Sequence, residues 1–241
     1  MDDPQSPQFT DDSQAGLKTI IAGDAITWLK NAPANGEKQT YFASLPDYSE
    51  FSTWTLEAWK TWFTETASLI FSRTAHDGLT IFFQSDIKVD DRWVDKAYLI
   101  GKAAESENHP LLFHKIYCRA PAGQTTYGRP GYSHLLVFSR GVRIKADEST
   151  ADVISHLGDK SWARGMGFNA CVHVADLVQK HAAGHRLVNP FCGQGGLLAV
   201  AAEKGIESLG IEKSSKRAEQ ARRMRADLKR AEFDLGNEIP S

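Results

Sequence analysis

The chain has 241 residues, of which 41% are hydrophobic, 10% aromatic and 24% charged. Its 28 Lys and Arg against 30 Asp and Glu set a formal charge of −2, which excludes a uniformly basic nucleic-acid coat but allows a local basic face. No apolar run approaches the ~20 residues of a membrane helix, the acidic start (MDDPQSPQFTDDSQAG) lacks the apolar stretch of a signal peptide, and Cys118, Cys171 and Cys192 form no CxxC. The expectation is a cytoplasmic protein with no membrane partner, no disulfide scaffold and no cysteine-held zinc.

Residues 1–16 carry four Asp and no basic residue and read as a disordered acidic tail; 17–235 read as one domain and 236–241 as a flexible tail. LKTIIAGDA is a β-branched run closed by Gly23-Asp24, AITWLKNA is helix-like, and PANGE breaks it. TYFAS reads as the next strand and runs into the turn-forming LPDYSEF. Over 55–73, Leu56, Trp59, Phe63, Ala67 and Ile70 recur at helical spacing behind Thr55, a candidate N-cap. LTIFFQ has the length and apolarity of a buried strand. The pattern predicts a helix over 91–107, a strand over 111–118, a Gly/Pro-rich loop over 121–132 and a strand over 133–139. Residues 141–166 look irregular. A helix over 168–181 and a strand over 186–189 follow, then the turn PFCGQGG, a helix over 197–204, a strand over 207–211 and a long basic helix over 214–231. Strands alternating with helices predict a mostly parallel sheet covered on both faces.

The sharpest local pattern is RLVNPFCGQGGLLAVAAEKGIESLGIEK. A strand delivers Asn189, Pro190, Phe191, Cys192, Gly193, Gln194, Gly195 and Gly196 onto a helix start, where glycines admit a close ligand and the helix offers unpaired N–H groups. Glu212 ends the next strand, placed to accept from both ribose hydroxyls of a nucleoside cofactor. The third glycine of GxGxxG is absent, which disfavours a dinucleotide.

NPFCGQGG resembles the DPFCGSGT motif of S-adenosylmethionine-dependent methyltransferases, above all the amino-methyltransferases of nucleic-acid bases, and GIEKSSKRAEQAR resembles the stretch after their second strand. Asn189 stands for the usual Asp, keeping the acceptor without the charge. IIAGDAITWLKNAP is similar to their third-strand segment, where Asp24 would lie beside the adenine. YFASLPDYSEF stands where they carry the catalytic DPPY-type turn, LTIFFQ resembles the fifth strand and RPGYSHLLVFSRG the seventh. Strands three to seven come first, and strands one and two last. The resemblance therefore implies a circularly permuted Rossmann-like methyltransferase fold, α/β, with a seven-stranded mixed sheet and helices on both faces.

It further implies S-adenosylmethionine as cofactor, held by Asp24, Asn189, Pro190, Phe191, Gly193, Gln194, Gly195, Glu212 and Lys213, and methyl transfer to a nucleic-acid base, RNA ahead of DNA. Pro46, Asp47 and Tyr48 would position the target. Leu45 and Asp47 replace the polar residue and second proline of DPPY. Tyr48 keeps the stacking role toward a flipped base, and Asp47 either orients the nucleophile, acts as a general base or merely caps the turn. Ser44 is a substitute polar contact. A small-molecule methyltransferase, or a non-catalytic binder on the same fold, stays open. Cys192 reads as a small buried filler. Trp59 reads as core and Trp54 as a candidate pocket wall. No histidine spacing points to a metal. The eight Lys and Arg between Lys213 and Arg230 read either as a solvated face or as a phosphate-contacting stripe. The loop with Arg129 is short for a recognition insert, which favours a structured RNA or an accessory subunit that supplies recognition; a homodimer stays open.

Overall fold

The protein, as a computed structural model, is described over residues 16–34, 38–160 and 165–230. The tails expected at 1–16 and 236–241 lie outside these residues, apart from Gly16.

Ten strands and six α-helices are described: β1 (Lys18–Ala22), α1 (Ala25–Asn31), β2 (Gln39–Ala43), α2 (Leu56–Arg73), β3 (Thr80–Gln84), β4 (Ile87–Val89), β5 (Arg92–Val94), α3 (Lys96–Ser106), β6 (Leu111–Cys118), β7 (Tyr132–Phe138), β8 (Val153–Ile154), α4 (Phe168–His181), β9 (Arg186–Asn189), α5 (Gly196–Glu203), β10 (Ser208–Glu212) and α6 (Ser215–Arg223). One sheet runs β1-β10-β9-β2-β3-β7-β6-β8. The five strands from β1 to β3 are parallel, and β7 runs antiparallel to both β3 and β6. The C-terminal strands β9 and β10 thus insert between β1 and β2, which is the permuted order expected. The sheet has eight strands rather than seven, because Val153 and Ile154 add a short parallel edge beside β6. No described helix is long and apolar enough to cross a membrane.

Side-chain alternation sorts each strand between two cores. Phe42, Ile81 and Phe83 face the layer of α4, α5 and α6, where Val174, Leu198 and Ala218 are buried. Tyr41, Ala43 and Phe82 face α1, α2 and α3, where Leu29, Trp59, Phe63 and Ile100 are fully buried. Thr55 caps α2 as expected, accepting from the Ala58 N–H at 3.2 Å.

Two expected helices are corrected. Residues 91–95 form a hairpin arm rather than the first turn of a helix. Asp90 and Asp91 both take positive φ (46° and 59°), the two-residue turn that joins β4 to β5, and α3 starts only after Asp95, which caps it by accepting from the Tyr98 N–H at 2.8 Å. The basic helix expected over 214–231 stops at Arg223, where Met224 turns extended. The Lys18 ammonium donates there to the carbonyls of Ala221 (2.8 Å) and Met224 (2.5 Å), satisfying the helix end from β1.

Candidate active site

The direction in which strands are added to the sheet reverses between β9 and β2. One crossover leaves β9 through α5 to β10 on one side, and another leaves β2 through α2 to β3 on the other. Loops at the carboxyl ends of two such strands diverge and leave a crevice. A cleft of about 590 Å³ occupies this place, lined among others by Asp24, Ser44, Leu45, Pro46, Asp47, Asn189, Phe191, Gly193, Glu212 and Lys213. The two halves of the expected site, one near each end of the chain, therefore share one cavity.

On the β9 side the turn is built by local hydrogen bonds. Asn189 is buried, and its Oδ1 accepts from the Phe191 N–H at 3.1 Å, so the Asp-to-Asn change keeps a turn-holding acceptor. Gly193 and Gly195 have φ of 55° and 77°. A Cβ on Gly195 would also lie 2.8 Å from the Ala221 Cβ, so the turn and α6 can approach only with glycine here. Gly195 caps α5, and neither it, Pro190 nor Gln194 is among the residues lining the cleft. Burial, reinforced by Glu212, pushes the Cys192 thiol up to about 12, so it stays protonated at neutral pH and acts as packing, as expected.

Glu212 is 7% exposed. Its Oε1 accepts from the Ser214 N–H (2.8 Å) and from Arg217 Nε and Nη2 (2.9 Å each), while Oε2 has no partner among the described residues. A buried carboxylate with one oxygen fixed and one open to a cleft suits a vicinal diol. Asp24 caps α1 through the Thr27 N–H (3.0 Å) and lies 3.6 Å from the Lys213 ammonium; the Thr27 amide bond is the main cause that holds its carboxyl below the usual range.

The turn after β2 departs furthest from expectation. Leu45 is 3% exposed and packs into the α2 core. The Pro46 carbonyl accepts the Trp59 indole N–H at 3.3 Å, so Trp59, besides being core, fastens the turn. Asp47 stands at the N-cap of the short turn Tyr48–Glu50, and its Oδ1 receives the Lys96 ammonium. Its own N–H donates to Glu50 Oε1 at 3.2 Å. Tyr48 donates its hydroxyl to the Trp54 carbonyl (3.0 Å), with its ring 6.1 Å from Trp59, and is not among the cleft-lining residues.

Several lining residues carried no signal in the sequence. Lys96 is 1% exposed, stacked 5.9 Å above Trp59 and 6.0 Å above Phe63, with its backbone N–H on Asp86 Oδ1 (2.9 Å). Burial lowers its pKa, and Asp47 and Asp86 offset only part of that. Phe51, Trp54, Trp62 and Phe191 form an aromatic wall with centroid spacings of 4.6–6.3 Å, linking the turn after β2 to the turn after β9. Trp54 thus lines the cleft as one reading expected, and Trp62 joins it. On α6, Arg222 and Arg223 pair with Glu219 (3.1 and 2.8 Å) and Arg222 also donates to the Ile20 carbonyl, which gives this helix the geometry of a salt-bridged face. Among the described residues Asp86, Asp95 and His134 bring potential ligand atoms within 4.8 Å, but Asp86 is already committed to the Lys96 N–H and to His134 at 3.0 Å.

This architecture is the Rossmann-like methyltransferase fold in permuted order. Among solved structures, the chain is similar to TTHA0409 of Thermus thermophilus, a candidate DNA modification methylase, with TM-score 0.63 and 17% identity over 85% of this chain and 91% of that one. The structure of TTHA0409 complexed with S-adenosylmethionine superposes equally well, at TM-score 0.63 and 16% identity over 85% and 92% of the two chains. The cytosine-N4-specific PvuII DNA methyltransferase matches at TM-score 0.63 and 10% identity, over 92% of this chain and 88% of that one. No protein-family model and no curated protein sequence matches the chain.

Proposed function

We propose that the protein is an S-adenosylmethionine-dependent methyltransferase acting on a nucleic-acid base. The observation that carries the reading is the convergence, in one cleft at the sheet's switch point, of the glycine turn and open Glu212 oxygen on one side with the Leu45–Asp47 turn and aromatic wall on the other. The residues fit the cofactor: Glu212 Oε2 is a free acceptor for ribose hydroxyls, Asp24 flanks the adenine end, and Asn189, Phe191 and Gly193 border the methionine end. Bound S-adenosylmethionine supplies an electrophilic sulfonium methyl. The chain's own residues do the positioning: Asp47 orients the target amine or takes its proton, and Trp54 and Trp62 offer faces for a base. Tyr48 braces the turn after β2 through the Trp54 carbonyl, and Gly195 sets the start of α5. Because the solved structures it resembles are named as DNA enzymes, DNA is the preferred substrate over the RNA expected from sequence.

Calorimetric titration with S-adenosylmethionine, followed by labelled methyl transfer to DNA, tRNA and rRNA, tests the reading. Cofactor binding with label on a base supports it, and absence of binding ends it. Buried Leu45 and the occupied Pro46 carbonyl favour one second reading, a non-catalytic binder on the same fold, which binding without transfer to any substrate would select.

A further inference from the structure

One end of the cleft is cationic. Arg119, Arg129 and Lys160 line it beside the turn that carries Asp47, from three separate segments. Arg119 follows β6 and is partly buried, whereas Arg129, in the Gly/Pro-rich loop, and Lys160 are exposed. None of the three has a carboxylate partner within ion-pair distance among the described residues. Burial, with the positive charge of Arg129 adding, holds Arg119 below its ordinary value, and Asp47 offsets part of that. Three cations gathered without a paired anion cost free energy, and an anionic ligand removes that cost.

The floor of this end is polar and preorganised. Arg119 Nη1 donates to the Ser85 hydroxyl at 3.1 Å, and Ser85 and Ser133 hydroxyls lie 2.6 Å apart. Beside them Gln84, at the carboxyl end of β3 and 3% exposed, lines the cleft, and its amide Nε2 has no hydrogen-bond partner among the described residues. A buried donor left unpaired is costly to retain unless a ligand accepts from it.

We propose that Arg119, Arg129 and Lys160 form a phosphate subsite, which holds a phosphate of the nucleotide whose base reaches the turn, while Gln84 Nε2 donates to an acceptor on the same nucleotide. The subsite rests on the nucleotide-substrate reading above and names where that substrate's charge is held. The phosphate belongs either to a strand or to a free nucleotide, and the test separates the two.

Binding to the full chain is measured by calorimetry with four probes: inorganic phosphate, a nucleoside, its 5′-monophosphate and a short single-stranded oligonucleotide. The monophosphate should bind at least about tenfold more tightly than the nucleoside, since charge-assisted hydrogen bonds carry such differences. The paired substitution Arg129→Gln with Lys160→Gln, both exposed and safe for folding, should remove that preference. Gln84→Leu should weaken nucleoside and monophosphate alike, and Lys102→Gln on the surface of α3 should change neither. A strand phosphate as the natural ligand makes the oligonucleotide the tightest probe, with steep salt dependence that the paired variant flattens; a free nucleotide makes the monophosphate the tightest. Equal affinity for nucleoside and monophosphate, or a preference that survives the paired substitution, overturns the subsite. Preserved phosphate preference in a chain that does not bind S-adenosylmethionine overturns the cofactor reading alone.

Discussion

The ammonium of Lys96, buried at the start of α3, closes on Oδ1 of Asp47 in the turn after β2. Asp47 is 37% exposed on its side chain, so the pair has one dry end and one end open to the cleft. A buried ammonium with a single carboxylate partner holds that carboxylate in place more than it stabilises the fold, because desolvation offsets much of the attraction.

Asp47 and Lys96 should therefore matter to turnover rather than to cofactor binding. Asp47→Asn keeps the turn shape, and Lys96→Met keeps the apolar stem over Trp59 and Phe63. Both variants should bind S-adenosylmethionine as the parent does, yet transfer methyl at least about tenfold more slowly, since general-base contributions are typically about 10²–10⁴-fold. Single-turnover rates check this; full activity in Asp47→Asn would leave Asp47 as a turn residue only.

Glu212→Ala removes the open acceptor facing the cleft. Cofactor affinity should fall by roughly ten- to hundredfold, the range of charge-assisted hydrogen bonds. Calorimetry on the folded variant reads it, and unchanged affinity would reassign the ribose end. Arg217→Ala, which leaves the carboxylate in place with its Oε1 still held by the Ser214 N–H, should weaken binding less.

The aromatic wall and Tyr48 separate into different measurements. Trp54→Ala should weaken binding of the nucleic-acid target by about 1–3 kcal/mol, the worth of one stacked base. Tyr48→Phe removes only the bond to the Trp54 carbonyl and should cost about 1 kcal/mol of stability at most. Fluorescence titration and chemical denaturation measure the two effects; a Tyr48→Ala variant that loses target binding while Trp54→Ala does not would return the stacking role to Tyr48.

Acid should destabilise the fold through His173. Burial, with Lys115 adding, lowers its pKa to about 4, and its Nδ1 is joined to the Tyr117 hydroxyl. The unfolded chain takes up that proton near its ordinary value of about 6.5, so stability is complete above that pH and is lost as pH falls from there toward 4, by on the order of 3 kcal/mol. His109, lowered to about 4 mainly by burial, acts in the same direction. Urea midpoints across this window should fall less steeply in His173→Gln; an unchanged slope would remove His173 as the cause.

The residues of the strand–turn–helix around Asn189 to Gly196 and of the acid at Glu212 were legible in the sequence because each depends on neighbours within a turn or two: glycines that take positive φ, a helix start, an alternating strand. The permuted order was legible for the same reason, as a succession of such local units. The 91–95 segment was not, since its charged and aromatic residues satisfy a helical period as well as a hairpin, and the choice fell to the two positive φ values at Asp90 and Asp91. Nor was the end of α6, which a lysine from β1 terminates across 203 residues of chain. By itself, then, the sequence determined the fold class, the strand order and the two turns that flank the cleft. Only the tertiary structure decided that Lys96 meets Asp47, that Trp62 and Phe191 continue the wall begun by Trp54, and that Gln84, Arg119, Arg129 and Lys160 share one end of the cleft. These contacts join segments distant along the chain, 49 residues apart for Asp47 and Lys96, and their geometry is set by which strands lie side by side rather than by any local pattern.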